Sequence, residues 1–300
     1  MLSQASPEGL FPQKGHSLLI LDRPPLYYDT LITQPVPPLV WDVEPLIVRG
    51  DRIVIFGEPG SYKSMLMLHL ASHLGAGVHW LNTFTIREQR RVLYVDEEMN
   101  AQILHRNVKR LQLGSGVTHS DMAMVSRLGV RMDPYGAQLL LGYLNTQKFL
   151  PHVIIFDALR RVLLGDENKQ EPITQFWRNL EPISRQGITS VIIHHMNKPP
   201  VEGTRATKYR ASGHYEIIAG SDASLAVERV SRSVVKLTGI KSRGKVELPP
   251  FYVEVTDDGT DDGPLVIAPY VSKGKTPLTP QEREDVLRRP VEGTSSGREV

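Results

Sequence analysis

Residues 51–64, Asp-Arg-Ile-Val-Ile-Phe-Gly-Glu-Pro-Gly-Ser-Tyr-Lys-Ser, constrain the fold more than any other stretch, because they join three kinds of backbone in fourteen positions. Ile53 to Phe56 is an uninterrupted apolar run, as expected of a parallel strand buried on both faces. Gly57 and Gly60 let the chain turn sharply, so that successive N–H groups can point at one anion. Lys63 and Ser64 then open a helix predicted over 65–74, whose N-terminal dipole adds to the pull on negative charge. Strand, glycine turn and helix in this order predict an α/β core with an anion site at its rim.

The spacing of Gly57-Glu58-Pro59-Gly60-Ser61-Tyr62-Lys63-Ser64 matches the phosphate-loop pattern G-x-x-x-x-G-K-[ST], with one departure. Tyr62 stands where a second glycine is expected, and a side chain there can crowd the approach of the backbone to phosphate. Taken alone, the eight residues also fit a plain strand-turn-helix corner, so the downstream stretches decide.

Those stretches supply strands that end in polar residues. Residues 91–96 read as a buried strand closing on Asp96, Glu97 and Glu98, and the carboxyl ends of parallel strands form the rim where open α/β sheets bind ligands. The same acids also suit the N-terminus of the next helix, predicted from about Asn100. A short strand is expected around 122–125 and a helix over 137–147. His152-Val-Ile-Ile-Phe-Asp157 is four apolar residues ending in an aspartate, the Walker B pattern for a Mg²⁺-binding carboxylate. Ile173, Phe176, Trp177, Leu180 and Ile183 mark one helix face, and Pro182 predicts a kink or an early stop.

Strand 190–193 then delivers His194, His195, Asn197 and Lys198 to the same rim. From 196 to 215 the chain has no apolar periodicity and carries Lys198, Arg205, Lys208 and Arg210 against Glu202 alone. That composition suits contact with a phosphate backbone, or simply a solvated loop. A strand at 224–228 follows. Residues 234–238 and 251–255 then read as an antiparallel pair with Lys241-Ser-Arg-Gly-Lys245 in the connection. His69 and His73 are spaced i, i+4 on the first helix, but with no third ligand in view they read as ordinary helix histidines rather than a metal site.

Composition narrows the classes. At 300 residues, 40% hydrophobic and 23% charged, the chain suits an ordinary globular protein. Its 35 Lys+Arg nearly cancel 33 Asp+Glu, so any nucleic-acid surface must be local. The absence of cysteine excludes disulfides, iron–sulfur clusters and thiolate zinc sites and fits a reducing compartment. No apolar run approaches the ~20 residues of a membrane span and no signal-like N-terminus is present, so a cytoplasmic location is expected. The domain reading is a proline-rich arm over 1–35 with a short strand at 17–21, an α/β domain over 36–272, and a polar tail over 273–300 in which 281–289 suit a helix.

Five segments in order, 57–64, 92–99, 153–157, 191–198 and 241–244, resemble the RecA-like P-loop ATPases, most closely the RepA/DnaB-type hexameric replicative helicases of plasmids and phages. The resemblance implies a three-layer P-loop NTPase core with a mainly parallel sheet and C-terminal antiparallel strands. It also implies ATP and Mg²⁺ as cofactors, single-stranded DNA as partner and a homo-oligomer, a hexameric ring, with no membrane. By that likeness Gly57 to Ser64 cradle the phosphates, Lys63 holds the β- and γ-phosphates, and Ser64 binds Mg²⁺ with Asp157 as its partner, directly or through water. Glu98 orients water, chosen over Glu97 on the family's spacing, since the sequence does not separate the neighbours. His195 senses the γ-phosphate. Lys241 and Arg243 form the basic pair inserted into a neighbour's site, and Lys198, Arg205, Lys208 and Arg210 belong to the DNA-binding loop. The short arm leaves no room for the N-terminal helical domain of DnaB-type helicases, so the single-domain RepA-type form is expected. Two other functions stay open: a RecA/KaiC-like recombinase or ATP switch, and a nucleotide-gated scaffold that does not hydrolyse.

Overall fold

The computed structural model describes residues 26–195, 216–243 and 248–270. The strand expected at 17–21, the basic stretch 196–215 and the tail helix at 281–289 lie outside them. The chain divides into two compact units, residues 1–39 and 40–300. In the first, the described residues form one short helix, α1 (Tyr28–Thr33), none of whose residues is buried.

The second unit is built on a nine-stranded sheet. In chain order its elements are β1 (Trp41–Val43), β2 (Ile47–Val48), β3 (Arg52–Gly57), α2 (Lys63–Ala76), β4 (Val92–Asp96), α3 (Ala101–Ser115), β5 (Met122–Ser126), α4 (Gly136–Thr146), β6 (Val153–Asp157), α5 (Leu159–Val162), α6 (Gln170–Ser184), β7 (Thr189–His195), α7 (Glu216–Gly220), β8 (Ala223–Arg229), β9 (Val234–Ser242), β10 (Phe251–Asp257) and β11 (Leu265–Pro269). The strand order is β11-β10-β9-β8-β3-β7-β6-β4-β5, while β1 and β2 form a separate small hairpin. From β8 to β5 every neighbouring pair is parallel. From β8 to β11 every pair is antiparallel. This is the three-layer arrangement with C-terminal antiparallel strands that the sequence predicts.

Strand alternation makes the layers. Ile53 and Ile55 of β3 face one core with Leu66, Leu70 and Leu74 of α2. Val54 and Phe56 face the other with Phe176 and Leu180 of α6. Because β3, β4 and β6 are buried on both faces, each reads as a continuous apolar run. Helix α2 is buried nearly all round, which explains its weak amphipathic pattern.

Local expectations differ from the fold in four places. Helix α6 continues through Pro182 to Ser184, and Arg185 N still donates to Glu181 O at 2.9 Å. Proline removes only its own donor, and so close to a helix end little is lost. Strand β9 runs to Ser242, so Lys241 lies inside a strand instead of in the connection. Helix α7 and strand β11 were not legible locally: α7 has only five residues, and β11 follows the polar run 256–263.

Candidate nucleotide site

The carboxyl ends of β3, β4, β6 and β7 meet at one rim, and the loop 57–62 crosses it. The loop starts tightly. A Cβ on Gly57 would stand 2.2 Å from the Val227 carbonyl oxygen of β8, so only glycine fits there. Gly60 turns the chain at φ +76° with nothing near its missing side chain. Tyr62 also adopts a left-handed conformation, φ 65° and ψ 15°, before α2 begins at Lys63.

Lys63 is 4% exposed. Its Nζ donates to the carbonyls of Gly57 and Glu58, both at 2.8 Å, and lies 3.4 Å from Ser61 Oγ. Burial pulls the ammonium down to about 8, against the opposing attraction of Asp157, Glu98 and Glu58. The cation is thus held at the loop's centre with acids around it.

Asp96 of β4 and Asp157 of β6 are register partners on adjacent parallel strands. Asp157 Oδ2 accepts a 2.7 Å hydrogen bond from the Tyr94 hydroxyl, which also lies 3.4 Å from the Ser64 carbonyl. Burial pushes the Asp157 carboxyl up to about 6, opposed by the nearby Ser64 and Tyr94 hydroxyls. Asp157 Oδ1 is buried without a hydrogen-bond partner among the described residues. An orphaned carboxylate oxygen beside a serine hydroxyl and a buried ammonium is the donor set that Mg²⁺ and phosphate require, so the residues present fit a magnesium nucleotide.

The three acids ending β4 take different directions. Asp96 Oδ1 accepts from Glu98 N at 2.9 Å and Met99 N at 2.7 Å, which turns the chain toward α3. Glu97 points away and accepts from Gly129 N and Val130 N. Glu98 faces the site, its Oε1 3.5 Å from His195 Nε2. That contact holds its carboxyl below the usual range despite partial burial, helped by the positive charges of Arg161 and Lys63.

The histidine pair divides by the same alternation. His195 reaches Glu98, whereas His194 is fully buried on the other face, 4.0 Å from Glu167. His69 and His73 belong to the core of α2. The indole N–H of Trp80 donates to His69 Nδ1 at 3.0 Å, and His73 Nδ1 lies 2.7 Å from the His69 carbonyl.

Lys241 and Arg243 stand elsewhere. Lys241 Nζ donates to the carbonyls of Ile218, Ala219 and Ser221 in its own chain. Arg243 pairs with Asp222 at 3.2 Å and keeps a half-exposed side chain. Asp222 N donates to Arg52 O, so Arg243 sits by the start of β3, at the edge opposite the loop. Lys198, Arg205, Lys208 and Arg210 lie outside the described residues.

Sequence reasoning passed over Tyr94, Arg161 and Arg229. Tyr94 could have been found by alternation, since it stands two residues before Asp96 on the same strand face. Arg161 follows the Walker B aspartate by four residues, a proximity that says nothing of direction. Arg229, whose guanidinium lies 5.2 Å over the Tyr62 ring, carries no local signal.

A DnaB-like replicative helicase, solved in a study of its interactions with primase, superposes with a TM-score of 0.53 at 13% identity, over 73% of this chain and 59% of that one. This chain therefore spans about three-fifths of the helicase chain. The flagellar accessory protein FlaH from Methanocaldococcus jannaschii gives a TM-score of 0.47 at 16% identity, over 75% of this chain and 91% of that one. No curated protein sequence matches significantly. The sequence profile of the AAA domain matches residues 21–201, more than half of the chain and all of the loop, β4, β6 and β7. With that match and the three-layer fold around the loop, the chain belongs to the AAA domain family and carries a RecA-like P-loop ATPase fold similar to that of the DnaB-like helicase.

Proposed function

We propose that the protein is an ATP-driven motor that assembles as a ring and moves on single-stranded DNA, a replicative helicase of a plasmid, phage or mobile element. The observation that carries this reading is the convergence of Lys63, Ser64, Asp157, Glu98 and His195 at one rim, with Asp157 Oδ1 orphaned beside Ser64. Lys63 and the loop amides hold the β- and γ-phosphates, and Ser64 with Asp157 holds Mg²⁺. When bound, the metal neutralises charge on the phosphoryl oxygens. Tyr94 fixes the Asp157 carboxyl by its hydrogen bond. Glu98, kept ionised by His195, orients a water and accepts its proton. His195, the register partner of Gly57 and 3.5 Å from Glu98, reads the γ-phosphate.

Arg243 has no path to its own site. Strand β9 separates the two ends of the sheet by on the order of 25 Å. A half-exposed, always-charged guanidinium at that edge suits a neighbouring subunit's site, with Lys241 anchoring the strand behind it. Lys198, Arg205, Lys208 and Arg210 follow β7 in the sequence and supply DNA phosphate contacts.

The test is Mg-ATP turnover with and without single-stranded DNA, then strand displacement on a forked substrate. DNA-stimulated turnover that Lys63→Ala abolishes, together with displacement, is the expected result. Turnover without displacement returns the protein to a recombinase or switch. A second reading, a non-hydrolysing scaffold, draws on Tyr62 in the loop. Any turnover above the Lys63→Ala background excludes it.

A further inference from the structure

Tyr62 is the point at which this loop departs from its pattern, and its surroundings are as specific as its backbone. A residue with a side chain rarely holds φ 65° unless its neighbours enforce that conformation. The Tyr62 ring packs on the α2-side core and its hydroxyl donates to the Arg232 carbonyl at 3.3 Å. The Arg229 guanidinium lies 5.2 Å over the ring centroid. Arg229 Nη2 donates to the same Arg232 carbonyl at 2.8 Å, and its Nε to the Ser231 carbonyl at 3.0 Å. The turn that offers these carbonyls is closed by its own bonds, Val230 N to Val234 O at 2.8 Å and Val234 N to Ser231 Oγ at 3.1 Å. One carbonyl therefore ties the ring tip and the guanidinium together, on a turn that joins β8 to β9.

We propose that Tyr62 is a positioning residue for phosphate binding, clamped by Arg229 and the 230–233 turn so that the loop keeps the left-handed step that glycine would otherwise provide. The clamp acts from outside the site, through the backbone at 62, and so sets the aim of the amides of residues 60–64. Its anchor is β8, the strand whose Val227 carbonyl already abuts Gly57, so both ends of the loop rest on one strand. The inference rests on the nucleotide reading above and adds that, in this chain, phosphate affinity depends on a residue far away in sequence.

The experiment is a double-mutant cycle on the full chain with MgADP as probe, read by calorimetric Kd, with the melting temperature without nucleotide as the folding control. In the natural background Arg229→Ala should weaken MgADP binding about 3–10-fold, and in the Tyr62→Gly background less than about 2-fold, since glycine needs no clamp. Tyr62→Ala keeps the strained step and loses the clamp, so it should bind at least as weakly as Arg229→Ala. Tyr62→Phe keeps the ring under Arg229 and should restore most of the affinity. In turnover assays the loss should appear in KM more than in kcat, a split that a merely destabilised fold does not produce. Equal effects of Arg229→Ala in both backgrounds, or no effect in the natural one, overturn the clamp while leaving the nucleotide site standing. If the folded natural protein binds no MgADP at millimolar concentration, the site reading itself fails and the clamp with it.

Discussion

His69 illustrates what burial does to a single residue. It is 2% exposed and accepts the Trp80 indole N–H, and burial, reinforced by His73, pulls its pKa down to about 3. The native state therefore keeps the ring neutral while the unfolded chain protonates it below about 6.5. Between those values the unfolded state binds more protons, so stability falls as pH falls through that window. From pH 7.5 to 5.0 the loss from this group is about 2 kcal/mol. His69→Gln offers an amide oxygen to the same indole without a titrating ring. Urea unfolding at the two pH values should show the pH-dependent loss reduced by about that amount, and an identical loss in both proteins would assign it to other groups. Glu98 gives the matching test of chemistry: Glu98→Gln should bind MgATP but turn it over at least about 100-fold more slowly, because an amide cannot take the proton. Full activity in that variant would move the role elsewhere.

At the scale of elements, the loop is shaped by what β3 and β8 leave free. Gly57 and Gly60 look equivalent in the pattern, yet only Gly57 is walled in, by a carbonyl oxygen that cannot swing aside as a side chain would. Gly57→Ala should therefore push β3 from β8 and cost about 3 kcal/mol or more by urea unfolding, clearly more than Gly60→Ala. Gly60→Ala meets nothing within 4 Å and bears only the left-handed strain, about 1–2 kcal/mol. If the two variants unfold alike, or the order reverses, the loop is not seated on β8 as described. The same two strands were legible from their apolar runs, but their adjacency was not. Residues 57 and 227 are 170 positions apart, and nothing local encodes that separation.

For the whole molecule, the informative distance runs along β9. One end of that strand holds the turn against the loop, and the other holds Lys241 and Arg243. Arg243→Ala should keep nucleotide binding and lose hydrolysis by about 10³-fold if the guanidinium completes a neighbour's site. Mixing it with Lys63→Ala is the sharper measurement, because in the proposed ring some mixed interfaces would join an intact Lys63 to an intact Arg243. Partial recovery of turnover from two inactive proteins is expected. A dead mixture whose subunits demonstrably exchange would sink the shared site, as would an active Arg243→Ala.

The sequence by itself determined the elements whose identity is local. Buried strands announce themselves as apolar runs, the loop by its glycines and Lys63-Ser64, and the metal-site candidate by an aspartate closing a strand. Tertiary structure alone decided which way neighbouring side chains face and what they meet. It turned Glu98 inward and Glu97 outward, split His195 from His194 and enclosed Lys241 in carbonyls of α7 and Ser221. It also brought Arg229 over Tyr62. The reason is physical: a residue's conformation follows from its near neighbours along the chain, whereas its partners follow from strand order and register, which depend on the burial of the whole sheet at once.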